Sequence, residues 1–181
     1  MGAVRSLIED EFYLSAQCPM VSTDEIAGLV STIARNGSGG QIGLQALGES
    51  IGYDESSLLA LLELLDRLGL TKFIDGKVEL TPLGSRYAGA SGQDRRAIFA
   101  DQLADSIPLV KLIQGKVAAH PHRRMHSAEI AADLHRQYPD SDIDRGLRQL
   151  IDWARYAGLL SYDDRTGVIS LPAGGSEKMI A

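Results

Sequence analysis

Two glycines, Gly69 and Gly158, constrain this chain more than any other pair of residues. Each closes a strongly apolar helical pattern and opens onto a leucine and a hairpin pattern, and they stand 89 residues apart. At that offset Leu58 falls on Leu147, Leu61 on Leu150 and Leu64 on Trp153. Asp54 caps the first of these helices, which also carries Leu59, Leu62, Leu65 and Leu68. The second runs from about Asp142 to Tyr156, with Ile143, Leu147, Leu150, Ile151 and Trp153 facing inward. After Gly69, residues 70–74 and 77–80 flank Asp75-Gly76, a strong signal for a two-residue hairpin turn. After Gly158, residues 159–162 and 168–171 flank a turn over 163–167.

Further helices are expected upstream of each pattern. Ser22 or Thr23 caps one with Ile26, Leu29, Val30 and Ile33, stopped by the glycine-rich run at 36–40; a second carries Ile42, Leu44, Leu47 and Ile51 and ends at Gly52. Pro82 to Ala90 reads as a short helix and Asp94 to Ala104 as another, with Ile98, Phe99 and Leu103 inward. Ser106 and Pro108 start one that lasts to about Ala119, and Ser127 starts the next, which ends near Tyr138. The fold predicted is mainly α with short β-hairpins: two winged-helix-like units in tandem, joined by helices and reading as an internal duplication. The boundaries expected are an N-terminal extension over 1–21, a first unit over 22–90, a second with its connecting helix over 91–172, and a loose tail over 173–181. The extension has the apolar set Leu7, Ile8, Phe12, Tyr13 and Leu14 but no evident core of its own.

Composition narrows the partners. The 181 residues are 44% hydrophobic, enough for a sizeable core. Eighteen basic residues against 24 acidic give a net charge of -6, which works against a general polyanion-binding surface. Cys18 is the single cysteine, so no disulfide forms within the chain and a reducing, cytoplasmic setting fits. No run approaches the 18 apolar residues of a membrane span, so attachment to a membrane is expected only through a partner.

Catalytic chemistry is poorly represented. The run Asn36-Gly-Ser-Gly-Gly-Gln-Ile-Gly43 lacks the Gly-Lys-Ser/Thr of a nucleotide-cradling loop and follows a helix rather than a strand, so it reads as a turn. No glycine-flanked serine elbow occurs, and neither enzymatic activity nor a cofactor is expected. His120, His122 and His126, with Glu129 behind them, are candidate metal ligands, but their spacing fits no standard site and two arginines stand among them. Those two, Arg123 and Arg124, offer instead a small basic patch for a phosphate or an acidic partner. Winged helices often lay the third helix in the DNA major groove. Here that helix carries Asp54, Glu55, Glu63 and Asp66 against Arg67 in the first unit, while Asp142, Asp144 and Asp152 offset Arg145, Arg148 and Arg155 in the second.

From about Asp54 to Pro172 the sequence resembles the AAA-associated C-terminal domain of ABC transporter ATP-binding proteins of the nitrate, sulfonate and bicarbonate class. Three stretches carry the likeness: residues 68–84 with Leu80-Thr-Pro-Leu-Gly84, then Asp94-Arg-Arg-Ala-Ile-Phe-Ala-Asp-Gln-Leu103 with Ile107-Pro-Leu-Val110, and Ile151-Asp-Trp-Ala-Arg-Tyr-Ala157 with the wing behind it. The ATPase that usually precedes this domain is not in the sequence, so the chain is either a free-standing relative or a domain taken from a longer protein, and ATP hydrolysis is not carried over. The resemblance implies a regulatory module that senses a solute or docks onto a transporter ATPase or permease subunit; a homodimer is left open. A groove between two winged units would be lined by Phe99, Trp153, Tyr156 and Tyr162, aromatics of the kind that anchor interfaces, although Phe99 and Trp153 also fit core positions. The competing readings are a winged-helix transcriptional regulator and a small-ligand or metal sensor.

Overall fold

A computed structural model describes residues 12–15, 18–36 and 41–172. Leu7 and Ile8 of the extension, most of the glycine-rich run and the tail from residue 173 lie outside the described residues. Two compact units emerge. One is Gln17–Gln102; the other joins residues 12–15 to everything described from Leu103 on. The first contains α1 (Thr23–Asn36), β1 (Gln41–Gly43), α2 (Leu44–Ile51), α3 (Glu55–Arg67), β2 (Thr71–Ile74), β3 (Lys77–Leu80), α4 (Pro82–Gly89) and most of α5 (Gly92–Ser106). The second contains α6 (Pro108–Ala119), β4 (Arg124–His126), α7 (Ser127–Gln137), α8 (Ile143–Ala157), β5 (Ser161–Asp163) and β6 (Val168–Ser170). Each has an antiparallel three-stranded sheet, ordered β1-β3-β2 and β4-β6-β5. Helix, strand, helix, helix and two-stranded wing is the winged-helix order, and both units follow it.

The two units repeat the same joints at their wings. α3 ends with Gly69 at φ +68, and the Leu70 N–H reaches back to Leu65 O at 2.9 Å. α8 ends with Gly158 at φ +74, and the Leu159 N–H reaches Ala154 O at 2.8 Å. This six-to-one closure with a left-handed glycine satisfies the last carbonyls of the helix and aims the chain into the wing. The start of the second helix is tied in both units to the turn of the wing: Leu44 N–H donates to Gly76 O (3.2 Å) and Ser127 N–H to Gly167 O (2.9 Å). The paired helix positions read from the sequence are all buried, Leu58 with Leu147, Leu61 with Leu150 and Leu64 with Trp153. Each buried leucine contributes roughly 2 kcal/mol by leaving water.

Three features depart from the sequence pattern. β1 and β4 complete the sheets, where the pattern gives a helix start at Ile42 and a loop at 120–126. Each is three residues long with one inward side chain between two exposed ones, too short for a period of two to register. The division between units falls inside α5, after Gln102, rather than at residue 90. Ser91-Gly92 is no linker, because the Ser91 hydroxyl donates to Asp94 Oδ2 at 2.7 Å and starts α5. The N-terminal extension does have a core: Phe12, Tyr13 and Leu14 are buried, and Gly146 of α8 gives them room. A Cβ on Gly146 would sit 2.6 Å from Tyr13 O and 2.7 Å from the Leu14 Cα, and the Arg145 guanidinium donates to Ser15 O at 3.2 Å.

Leu80-Thr-Pro-Leu-Gly84 acquires a physical meaning. Thr81 caps α4 by accepting from Gly84 N–H (2.9 Å), Pro82 takes the first turn where its missing N–H costs nothing, and the Thr81 hydroxyl donates to Gly69 O (2.6 Å). Gly84 lies so close to the α3–β2 junction that a Cβ there would be 1.9 Å from Leu70 O. We therefore expect Gly84→Ala to destabilise the protein by about 3 kcal/mol in urea unfolding. Gly89→Ala, in the same helix with nothing within 4 Å of its Cβ, serves as the control and should change stability little.

Candidate functional site

The histidine segment is built as a tight turn running into an edge strand. His120 ends α6, Pro121 presets the next φ, and Arg123 N–H closes the four residues onto His120 O at 2.8 Å. Arg123 has φ +50, which releases the chain into β4. Strand alternation then puts Arg124 and His126 on the outer face of the sheet, with Met125 on the face of the fully buried Ile169. Across the sheet Arg124 pairs with Ser170 and that with Ser161, while His126 pairs with Val168 and that with Asp163.

Over this face lies a cavity of about 800 Å³. The turn contributes His120 and His122, whose rings are 6.4 Å apart, and β4 contributes Arg124, Met125 and His126. Glu129, Tyr162, Asp163 and Thr166 complete it together with the outer-face residues of β5 and β6. Six residues singled out from the sequence therefore converge: His120, His122, His126, Glu129, Arg124 and Tyr162. Arg123 is exposed and does not line the cavity; neither does Tyr156, which is part-buried near the end of α8. Phe99 and Trp153 are each 1% exposed and are core side chains rather than groove lining.

Both carboxylates of the cavity already accept hydrogen bonds. Glu129 takes the His126 backbone N–H at 3.2 Å and so caps α7. Asp163 takes the Arg165 N–H at 3.0 Å, and the Thr166 hydroxyl together with this backbone bond holds its carboxyl below the ordinary aspartate range. Among the described residues no three His, Cys, Asp or Glu side chains come together as a metal would require, so the three histidines share a cavity without forming the ligand set considered from their spacing. The outer-face residues of β5 and β6 were not visible as a site beforehand; their only signal is the alternation of 161–163 and 168–170 about Tyr162 and Ile169.

The third helices differ in charge: α3 is acidic, while α8 with its cap balances Arg145, Arg148 and Arg155 against Asp142, Asp144 and Asp152. In α3, Arg67 is held by Glu63 at 2.9 Å, while Glu55 and Asp66 are exposed. The Asp54 carboxyl is well below its usual range because the Ser56 and Ser57 hydroxyls and the Ser57 N–H donate to it. In the second unit Arg155 lies 3.2 Å from Asp164 and 3.9 Å from Asp152, with its guanidinium 5.8 Å from the centre of the Tyr162 ring. Among the described residues no helix is long and apolar enough to cross a membrane.

Fold and site define a protein of two winged-helix-like units, the second of which carries a cavity over its sheet. The family model of the C-terminal AAA-associated domain matches residues 45–163, and the chain belongs to that family. Membership points to association with ABC-type systems. No curated protein and no solved structure matches the chain.

A depressed Asp163 pKa means that this carboxylate stabilises the wing above its unfolded value and that the contribution is lost as pH falls through the folded one. In an NMR titration of the carboxyl carbons, Asp163 should have its midpoint below 3.8. A midpoint at or above that value would show that the bonds from Thr166 and Arg165 do not hold it.

Proposed function

We propose that this protein is a non-catalytic regulatory module of an ABC-type anion-transport system, acting in the cytoplasm by docking onto a transporter ATPase or permease subunit. Family membership supports the transporter setting. The observation that favours protein over DNA is the state of the arginines on the third helices. Arg67 and Arg155 are engaged by carboxylates of their own units and Arg145 by a backbone carbonyl; Glu55 and Asp66 stand exposed on α3, and on α8 the exposed Arg148 has the exposed Asp144 and Asp152 on the same helix. A phosphate backbone approaching α3 meets repulsion first, and at α8 it meets no net positive charge once Asp142 is counted. A role without catalysis is in keeping with Cys18, the single cysteine, being buried.

A pull-down from native lysate with the chain as bait, read by mass spectrometry and by sequencing of bound DNA, should return an ABC-type ATPase or permease subunit. Discrete DNA fragments recovered without such a subunit, with affinity falling steeply as salt rises, would replace this reading by that of a transcriptional regulator.

A further inference from the structure

The cavity on the second sheet is polarised along its strands, and that polarity selects a ligand. At one end stand Arg124 and, in the turn immediately before it, His120 and His122. Ser170 and Ser161 continue the Arg124 row across the sheet and add hydroxyl groups. The next outward row, two residues along and so roughly 7 Å away, holds His126, Val168 and Asp163, with Glu129 beside it. The one arginine of the lining and two of its three histidines thus gather at one end, and both carboxylates lie at the other. At about 800 Å³ the space is of the size that holds small organic ligands, and Met125, Tyr162 and Val168 give it apolar wall.

We propose that this cavity binds a small organic anion bearing a single negative group, which Arg124 and the imidazoles of His120 and His122 receive, with the uncharged body lying toward Val168 and Tyr162. A guanidinium flanked by ring N–H donors matches a planar or tetrahedral oxyanion. A molecule with several negative groups would place one of them against Asp163 and Glu129, so nucleotides and polyphosphates are excluded by the same geometry. The site needs no partner protein and stands whether or not the chain docks onto a transporter.

Titration calorimetry on the full chain tests this with benzoate and ethanesulfonate as singly charged probes and ATP and tripolyphosphate as multiply charged ones. At least one of the singly charged probes should bind saturably and more tightly than either multiply charged one. Arg124→Gln should weaken that binding by about 10-fold or more with the melting temperature of the unliganded protein unchanged. Arg148→Gln, an exposed substitution on α8 away from this cavity, should leave binding intact. The proposal is overturned if neither singly charged probe binds, if binding survives Arg124→Gln, or if ATP or tripolyphosphate binds more tightly. Capture or non-capture of a transporter subunit alters none of these outcomes, so the two readings fail separately.

Discussion

Everything in the first unit depends on how closely the backbone passes itself where α3 turns into the wing. Gly69 adopts a conformation that side chains resist, Leu70 closes the last turn of the helix, and Thr81 and Gly84 then lie directly on that junction. The threonine satisfies a carbonyl that the helix leaves open and at the same time caps the next helix, so one hydroxyl links α3, the hairpin and α4. A short family motif is thereby explained by contact distance. The second unit ends α8 with the same helix closure, but it steadies its helix with the N-terminal residues 12–14, which fit against Gly146.

Much of the architecture was legible because it is governed by local rules. Helical spacing of leucines, an aspartate cap at Asp54, and glycines at Gly52, Gly69 and Gly158 all act within a turn or two of the residues concerned, and the structure uses each as expected. What escaped was long-range. The third strand of each sheet is only three residues long and exists because a distant wing pairs with it. The burial of Tyr13 and Leu14 depends on a glycine about 130 residues away, which no pattern near them announces. Of the aromatics read as groove lining, Trp153 and Phe99 prove to be core for the same reason that their helical spacing was regular.

The candidate site was half visible. The histidine and arginine cluster is conspicuous in the sequence, but its chemistry could not be separated into metal ligation, phosphate binding or solvation without knowing what faces it. The answer lies on β5 and β6, some 35 to 50 residues further along, whose outer side chains place serines opposite the arginine and a carboxylate at the other end. Surface charge and cavity then describe two separable tasks. The charges of the third helices bear on which macromolecules the protein can approach, and the cavity bears on which small molecules it can hold.

The alternation of β4 sets which of its residues can be exchanged. Arg124 and His126 project from the same short strand as Met125, yet only Met125 shares the face of the buried Ile169. The charged and imidazole side chains thus project to one side of three consecutive residues, while Met125, which also edges the cavity, packs on the other. The outer pair can be exchanged, and with it the groups offered to the cavity, without repacking the interior around Ile169.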